Sequence, residues 1–328
     1  MTQNDFPILI TGGAGYIGSV LVGQLLSNNY RVRVIDNLMH QQDSLKLFCD
    51  NENLEIVDGD IRNETLVKQA LEGISAVVHL AAIVGDPACE KDRQLATAVN
   101  KEASQSLSTL AKEQKIKRFI FASTCSNYGK METKDGYVDE NSELKPVSHY
   151  ARLKVDFEEF LFSQKSASFS PVILRFATAY GMSPRPRLDL TVNEFTAVLA
   201  VGEKLEIYGA DFWRPYCHTQ DIARVCQLML EADESMVATQ AFNVGDTSEN
   251  FQKKTLIELI LKELPEAADK VLFVAKDEDP RDYRVNFDKI QKTLGYSKTK
   301  TISNGICEYI EAIKSGAITD IHAQQYRN

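Results

Sequence analysis

Glycines at positions 12, 15 and 18 stand directly behind a short apolar run, Pro7–Thr11, and directly ahead of a helical pattern, Ile17–Leu26. Few local patterns narrow the choice of fold so far. The chain can turn tightly at Gly12, Gly15 lets a ligand approach the backbone, and Gly18 lets the helix pack on the strand. Free N–H groups and the positive dipole at the helix start favour a bound phosphate. Ordinary strand-to-helix turns also carry such triplets, so the rest of the chain has to support the reading.

It does so by alternation. Strand-like runs at Pro7–Thr11, Arg31–Asp36, Leu54–Val57, Ala76–Leu80, Arg118–Ser123 and Pro171–Arg175 are separated by helical patterns such as Ile17–Leu26, Glu64–Leu71, Leu95–Glu113 and Tyr150–Phe162. The strands lack period-2 alternation, which predicts burial on both faces and hence a parallel sheet covered by helices. The expected fold class is α/β, a doubly wound Rossmann-type sheet. After Gly181 the pattern changes at a proline-broken loop, Ser183-Pro184-Arg185-Pro186-Arg187. Helices are predicted over Thr191–Val201, Asp221–Glu231, Thr255–Leu264 and Ile302–Ser315, with short strands at Lys204–Tyr208 and Val271–Val274. The expected division is a dinucleotide-binding domain over 1–181 and mainly a smaller mixed α/β substrate lobe over 182–328.

Composition excludes several function classes. The net charge is −9 and no basic run occurs, so neither nucleic acid nor an anionic membrane is an expected partner. No apolar stretch approaches the ~18–20 residues that span a bilayer, and no secretory leader is visible. Six scattered cysteines without a CxxC pair fit free thiols in a reducing cytoplasm better than disulfides or a metal site.

Two acids follow the glycine loop. Asp36 ends the second strand, 18 residues beyond Gly18, where a carboxylate accepts hydrogen bonds from ribose hydroxyls and repels a 2′-phosphate. NAD is therefore expected over NADP. Asp60 ends the third strand and either meets the adenine or caps the helix that follows.

Tyr150 and Lys154, at i and i+4, share one helix face. A free tyrosine, with a pKa near ~10, is a poor base at neutral pH. A neighbouring lysine and a nicotinamide cation both favour the phenolate. Thr124 sits just past the fifth strand, where its hydroxyl can share a substrate proton. The Tyr-x-x-x-Lys spacing alone is common on solvated helix faces. Behind a dinucleotide loop it becomes the leading catalytic candidate.

At this point the chain resembles the extended short-chain dehydrogenase/reductases that act on nucleotide sugars, the UDP-glucose 4-epimerase group. The resemblance runs over nearly the whole length, through Thr11-Gly12-Gly13-Ala14-Gly15-Tyr16-Ile17-Gly18, Asp36-Asn37-Leu38, His79-Leu80-Ala81-Ala82, Asn100, Thr124, Tyr150/Lys154, Leu174–Gly181 and Arg214–Asp221. It implies that Tyr150 is the acid/base, Thr124 its proton partner and Lys154 a contact to the nicotinamide ribose. Bound NAD would touch Gly12, Gly15, Tyr16, Ile17, Gly18, Asp36, Asn37, Asp60, Ile61, Leu80, Ala81, Ala82 and Asn100. The other expected partners are a nucleotide-diphosphate sugar and a second copy of the chain, in a homodimer.

By the same resemblance Asn193, Arg214 and Arg281 hold the substrate diphosphate, although Asp279-Pro280 stand before Arg281 in an altered frame. An arginine fork suits a diphosphate, and an ordinary surface arginine is the alternative. Thr178, where an asparagine is frequent, and Asp86 fall near the sugar end; Asp86-Pro87 can equally be a plain turn. His149 replaces a frequent proline. His218 is read as structural, with Thr219 and Asp221 as capping candidates.

Relatives that dehydrate the sugar across C4 and C6 carry Asp-Glu after the catalytic threonine. Here those positions are Cys125 and Ser126, which disfavours that reaction. Ser126 also stands where 3,5-epimerising relatives need a cysteine. A 4-epimerase working through a transient 4-keto sugar is expected. A one-way 4-dehydrogenase or 4-keto reductase with exchangeable NAD(H) is the alternative. A non-catalytic NAD-sensing protein ranks last, because Tyr150 and Lys154 are both present.

Overall fold

The computed structural model describes residues 7–40, 43–131, 136–275 and 281–328. Its centre is a parallel sheet of β1 (Ile8–Thr11), β2 (Val32–Asp36), β3 (Leu54–Asp58), β4 (Ala76–His79), β5 (Arg118–Thr124) and β6 (Ser170–Phe176), joined by a strand from the second half of the chain, Gln240–Val244. The order is β10-β6-β5-β4-β1-β2-β3, counting Gln240–Val244 as β10, with β7 (Thr178–Tyr180), β8 (Leu205–Tyr208) and β9 (Trp213–His218) lying between β6 and β10 in the chain. The order reverses between β1 and β4, which opens a crevice at the carboxyl ends of those strands.

Both sheet faces are covered, as the apolar strand runs predict. Helix α1 (Tyr16–Ser27) and the helix Thr219–Glu231 bury Leu21, Leu25, Ile222 and Met229 against one face. The helices Glu64–Ala70, Ser104–Glu113 and His149–Ser163 bury Val67, Leu107, Phe157 and Leu161 against the other. The lobe adds a three-stranded sheet, in which β11 (Asn250–Gln252) and β7 flank β9, and a pair of β12 (Val271–Val274) with β8. Its core joins Val192, Ile207, Tyr216, Leu256, Ile260 and Ile306.

Two departures from the sequence reading affect the site. The expected helix Leu95–Glu113 is broken: after Arg93–Thr97 comes a π-helical turn over Ala98–Ala103, then Ser104–Glu113. The wide turn presents Asn100, which accepts from Ile83 N (2.8 Å) and donates to Ile83 O (2.8 Å), pinning the loop behind β4. At the start of Thr219–Glu231 neither Thr219 nor Asp221 is the cap. His218 is, through Nδ1 accepting from Gln220 N at 3.2 Å, while its Nε2 meets Glu308 at 2.9 Å. Asp221 instead accepts from Thr299 N and Lys300 N.

Below β5 lies a sealed polar knot. Glu158 and Arg175 are 3% and 5% exposed and pair at 2.7 Å, and Glu158 also accepts from Asn127 at 2.9 Å and from Ser123 Oγ. The pair ties the helix His149–Ser163 to β5 and β6. Removing one partner of a buried pair strands the other charge out of water. Glu158→Gln should therefore lower the unfolding free energy by about 3–5 kcal/mol in urea titration. A loss below about 1 kcal/mol, the range of surface pairs, would refute this account.

Candidate active site

The crevice at the strand ends is a cleft of about 440 Å³. Its floor is the turn from β1 into α1. A Cβ on Gly18 would stand 2.1 Å from Gly12 O, and one on Gly12, where φ is +74°, would stand 2.7 Å from Ala81 N. Backbone therefore packs on backbone here, and Gly12, Gly15, Tyr16, Ile17 and Gly18 line the cleft. Asp36 braces the turn: its Oδ2 accepts from Ala14 N at 3.0 Å and its Oδ1 from Leu38 N at 2.9 Å. Burial pushes its carboxyl above the usual range, against the pull of those two N–H groups. Each oxygen keeps a lone pair for a further donor.

Asn37, Asp60, Ile61, Leu80, Ala81 and Ala82 line the same cleft. Arg62 forks onto Asp60 at 3.0 and 2.7 Å and holds its carboxyl below the usual range. The helix after Asp60 is capped by Asn63, so Asp60 is not that cap. This bare, apolar-walled slot with one acid at the end of β2 fits a dinucleotide, whose diphosphate would meet the α1 N-terminus.

The catalytic candidates converge further along. The helix His149–Ser163 starts at Ser148, whose Oγ accepts from Ala151 N at 3.2 Å, and this cap aims Tyr150 and Lys154 into the cleft. Lys154 is 3% exposed; its Nζ donates to Ala122 O at 2.8 Å and lies 5.7 Å from the Tyr150 ring centre. Burial pushes its ammonium down to about 8. Burial likewise raises the Tyr150 phenol, with Cys89 adding to the rise and Arg187 opposing it. Thr124 Oγ1 and Ser126 Oγ are 2.5 Å apart on the same wall. Cys125 points away, with its buried Sγ 3.1 Å from Arg175 O.

Asp86 and Arg281, both in the cleft lining, meet at 2.8 Å, and Thr178 belongs to the same lining. Asp279 and Pro280, which precede Arg281, lie outside the described residues. Three expected site residues stand apart from the lining. Asn100 acts behind the Ile83 loop. Asn193 is fully buried, accepting from Gly181 N at 3.1 Å and donating to Tyr16 Oη at 3.0 Å and Arg187 O at 2.8 Å. Arg214 lies over the Tyr283 ring, 5.5 Å from its centre, and donates to Trp213 O.

Beyond the setting of two arginines among prolines directly behind a strand end, nothing in the sequence pattern singles out Arg185 and Arg187, which fall in the proline-broken loop, or His40. All three line the cleft. Among the described residues no His, Cys, Asp and Glu cluster is arranged to hold a metal, and no helix is long and apolar enough to cross a membrane.

The model of the NAD dependent epimerase/dehydratase family matches residues 8–245. A dTDP-glucose 4,6-dehydratase of Streptomyces niveus is 29% identical over 321 residues, covering 93% of this chain and 91% of the relative. A UDP-glucose 4-epimerase of Lacticaseibacillus casei is 27% identical over 320 residues, covering 88% and 94%. Among solved structures, the UDP-glucuronic acid 4-epimerase of Bacillus cereus, in complex with UDP-glucuronic acid and NAD, superposes with a TM-score of 0.83 at 28% identity, over 94% of this chain and 99% of that one. The family match spans the whole central sheet and most of the cleft lining, all but Arg281 and Asn328. The chain belongs to the NAD dependent epimerase/dehydratase family.

Proposed function

We propose that this protein is a 4-epimerase of a nucleoside-diphosphate sugar. What supports the reading is the set of groups around Thr124. Tyr150, Lys154 and Thr124 line one cleft with the glycine loop, and among the described residues no carboxylate is hydrogen-bonded to the threonine, whose side chain meets Ser126. The next two positions are a buried thiol turned away and a serine hydroxyl. Elimination of water needs one group to protonate the leaving hydroxyl and another to take a carbon-bound proton. Among the described residues, the acids that line the cleft are engaged elsewhere: Asp36 with two backbone N–H groups, Asp60 with Arg62, Asp86 with Arg281. That leaves redox chemistry at one carbon, although relatives include dehydratases.

In this reading Tyr150 Oη takes the proton of the C4 hydroxyl, and Thr124 Oγ1 holds that oxygen. NAD supplies the hydride acceptor and, on return, the donor. Lys154, in its cationic form, favours the phenolate. After the 4-keto sugar presents its other face, Tyr150 gives the proton back, so neither proton nor hydride is consumed. Asp36 selects NAD through the ribose hydroxyls.

Incubation with UDP-glucose, UDP-galactose, UDP-glucuronic acid and dTDP-glucose in turn, followed by NMR, should reveal inversion at C4 without accumulation of NADH. A 4-keto-6-deoxy product would overturn the assignment in favour of dehydration, and stoichiometric NADH in favour of a one-way dehydrogenase. Tyr150→Phe should cut kcat by about 10²–10⁴-fold and leave NAD affinity within about two-fold; turnover within about ten-fold of the parent removes Tyr150 from the mechanism.

Burial disfavours the Lys154 cation, so its charge is present well below pH 8 and lost as pH rises through about 8. The kcat/KM profile, which reports the free enzyme, should therefore fall above about 8. A profile level up to the ordinary lysine value of about 10.4 would contradict this role.

A further inference from the structure

Between β7 and the helix Thr191–Ala200, prolines at 184 and 186 fix the backbone on either side of Arg185 and withhold N–H donors, which makes this stretch stiff. Arg185 and Arg187 both face the cleft and are only 4% and 8% exposed. Arg187 is answered by Asp189 through two bonds of 2.9 and 2.7 Å. Arg185 has no such answer. Its Nη2 donates to Arg327 O at 3.1 Å, and its Nε has no hydrogen-bond partner among the described residues. A guanidinium donor removed from water and left unmade is costly, and burial together with Arg187 depresses its basicity to about 10. A buried guanidinium with an open donor suits an anionic ligand.

The loop's anchorage points to which anion. Ser183 Oγ donates to Tyr16 O at 2.7 Å and pairs with Ser19 Oγ at 3.1 Å, and Arg185 N donates to Ser183 Oγ at 3.1 Å. The loop is thus fastened to the first turn of α1, whose Tyr16, Ile17 and Gly18 line the cleft. Asp36, the acid that acts on Arg185 from the cofactor end, already accepts from two backbone donors. A tail segment holds the loop from outside: Leu188 N donates to Tyr326 O at 2.8 Å, and Asn328 N to Asp189 at 3.2 Å.

We propose that Arg185 is a diphosphate ligand that grips the dinucleotide cofactor from the lobe side, opposite the glycine loop, and so keeps the cofactor in place between turnovers. The proposal rests on the family's NAD and not on the sugar chemistry assigned above, so the two can fail separately. The one chemistry, a diphosphate, has two sources in this cleft, the cofactor and the nucleotide sugar. Calorimetry separates them.

The full chain, stripped of nucleotide, would be titrated with NAD, UDP and dTDP, as parent, Arg185→Gln and Arg185→Lys. For the glutamine variant the NAD dissociation constant should rise about 10- to 100-fold, with UDP and dTDP within about two-fold; lysine, which keeps charge but not the fork, should fall between. NAD affinity within about two-fold in both variants would overturn the proposal. So would a loss of UDP or dTDP affinity equal to or larger than that of NAD, which would hand Arg185 to the substrate. Thermal melting checks folding, and if the glutamine variant does not fold, the lysine variant decides by the same criteria, a loss of NAD affinity beyond about two-fold and larger than any for UDP or dTDP supporting the proposal.

Discussion

The structure hangs on one contact between two stretches of backbone. Where β1 turns into α1, Gly18 lies so close to Gly12 O that a single added carbon would stand 2.1 Å away. That closeness lets α1 pack directly against the turn that leaves β1, beside the cleft. The same turn fixes what surrounds it. Ala81 passes near Gly12, and its N–H donates to Thr11 Oγ1 at 3.2 Å, so the end of β4 is set by the end of β1. His79 completes the lock, bonded to Thr11 at 2.7 Å and Ser104 at 2.9 Å. A side chain at either glycine would force strand and helix apart and widen the slot that backbone alone now lines.

Against this frame a cation sits where water is scarce. Lys154 sits under Tyr150 with its ammonium against Ala122 O and the face of Phe121, 4.7 Å from the ring centre. These contacts cannot replace a hydration shell, which is why its basicity falls. The Glu158–Arg175 pair, one helical turn further on, holds β5 by Ser123 and so holds the carbonyl that Lys154 depends on. Stability and geometry of the site therefore share the same residues.

Much of this was legible in the sequence, for a reason. The central strands are apolar on both faces, so their composition speaks plainly, and the glycine spacing and Tyr150/Lys154 are local patterns whose geometry follows from the helix. What was illegible depended on long-range partners. In Gln240–Val244 the polar Asn243 interrupts the apolar run, yet it is fully buried, bonded to Tyr128 Oη at 2.7 Å and to Asn286 O. In Trp213–His218 the proline at 215 argues against a strand, but the strand forms between β7 and β11. The π-helical turn at Ala98–Ala103 has no signature apart from the asparagine it presents. Asn193 resembled a ligand and is a brace, because its partners Tyr16 and Gly181 lie far away in the chain. Arg185 looked like loop because nothing in its neighbourhood of sequence announces α1.

The position of Gln240–Val244 bears on how the chain is made. The strand pairs in parallel with β6 along its whole length and buries four of its five residues. Until residue 244 has left the ribosome, β6 has a bare edge, and the helix Thr219–Glu231 that covers one sheet face is still missing or unpacked. The first half of the chain thus cannot complete the sheet before the second half is made. Nascent chains of intermediate length would expose an apolar strand edge of the kind that pairs with other chains. The polypeptide has to commit both halves before either is finished.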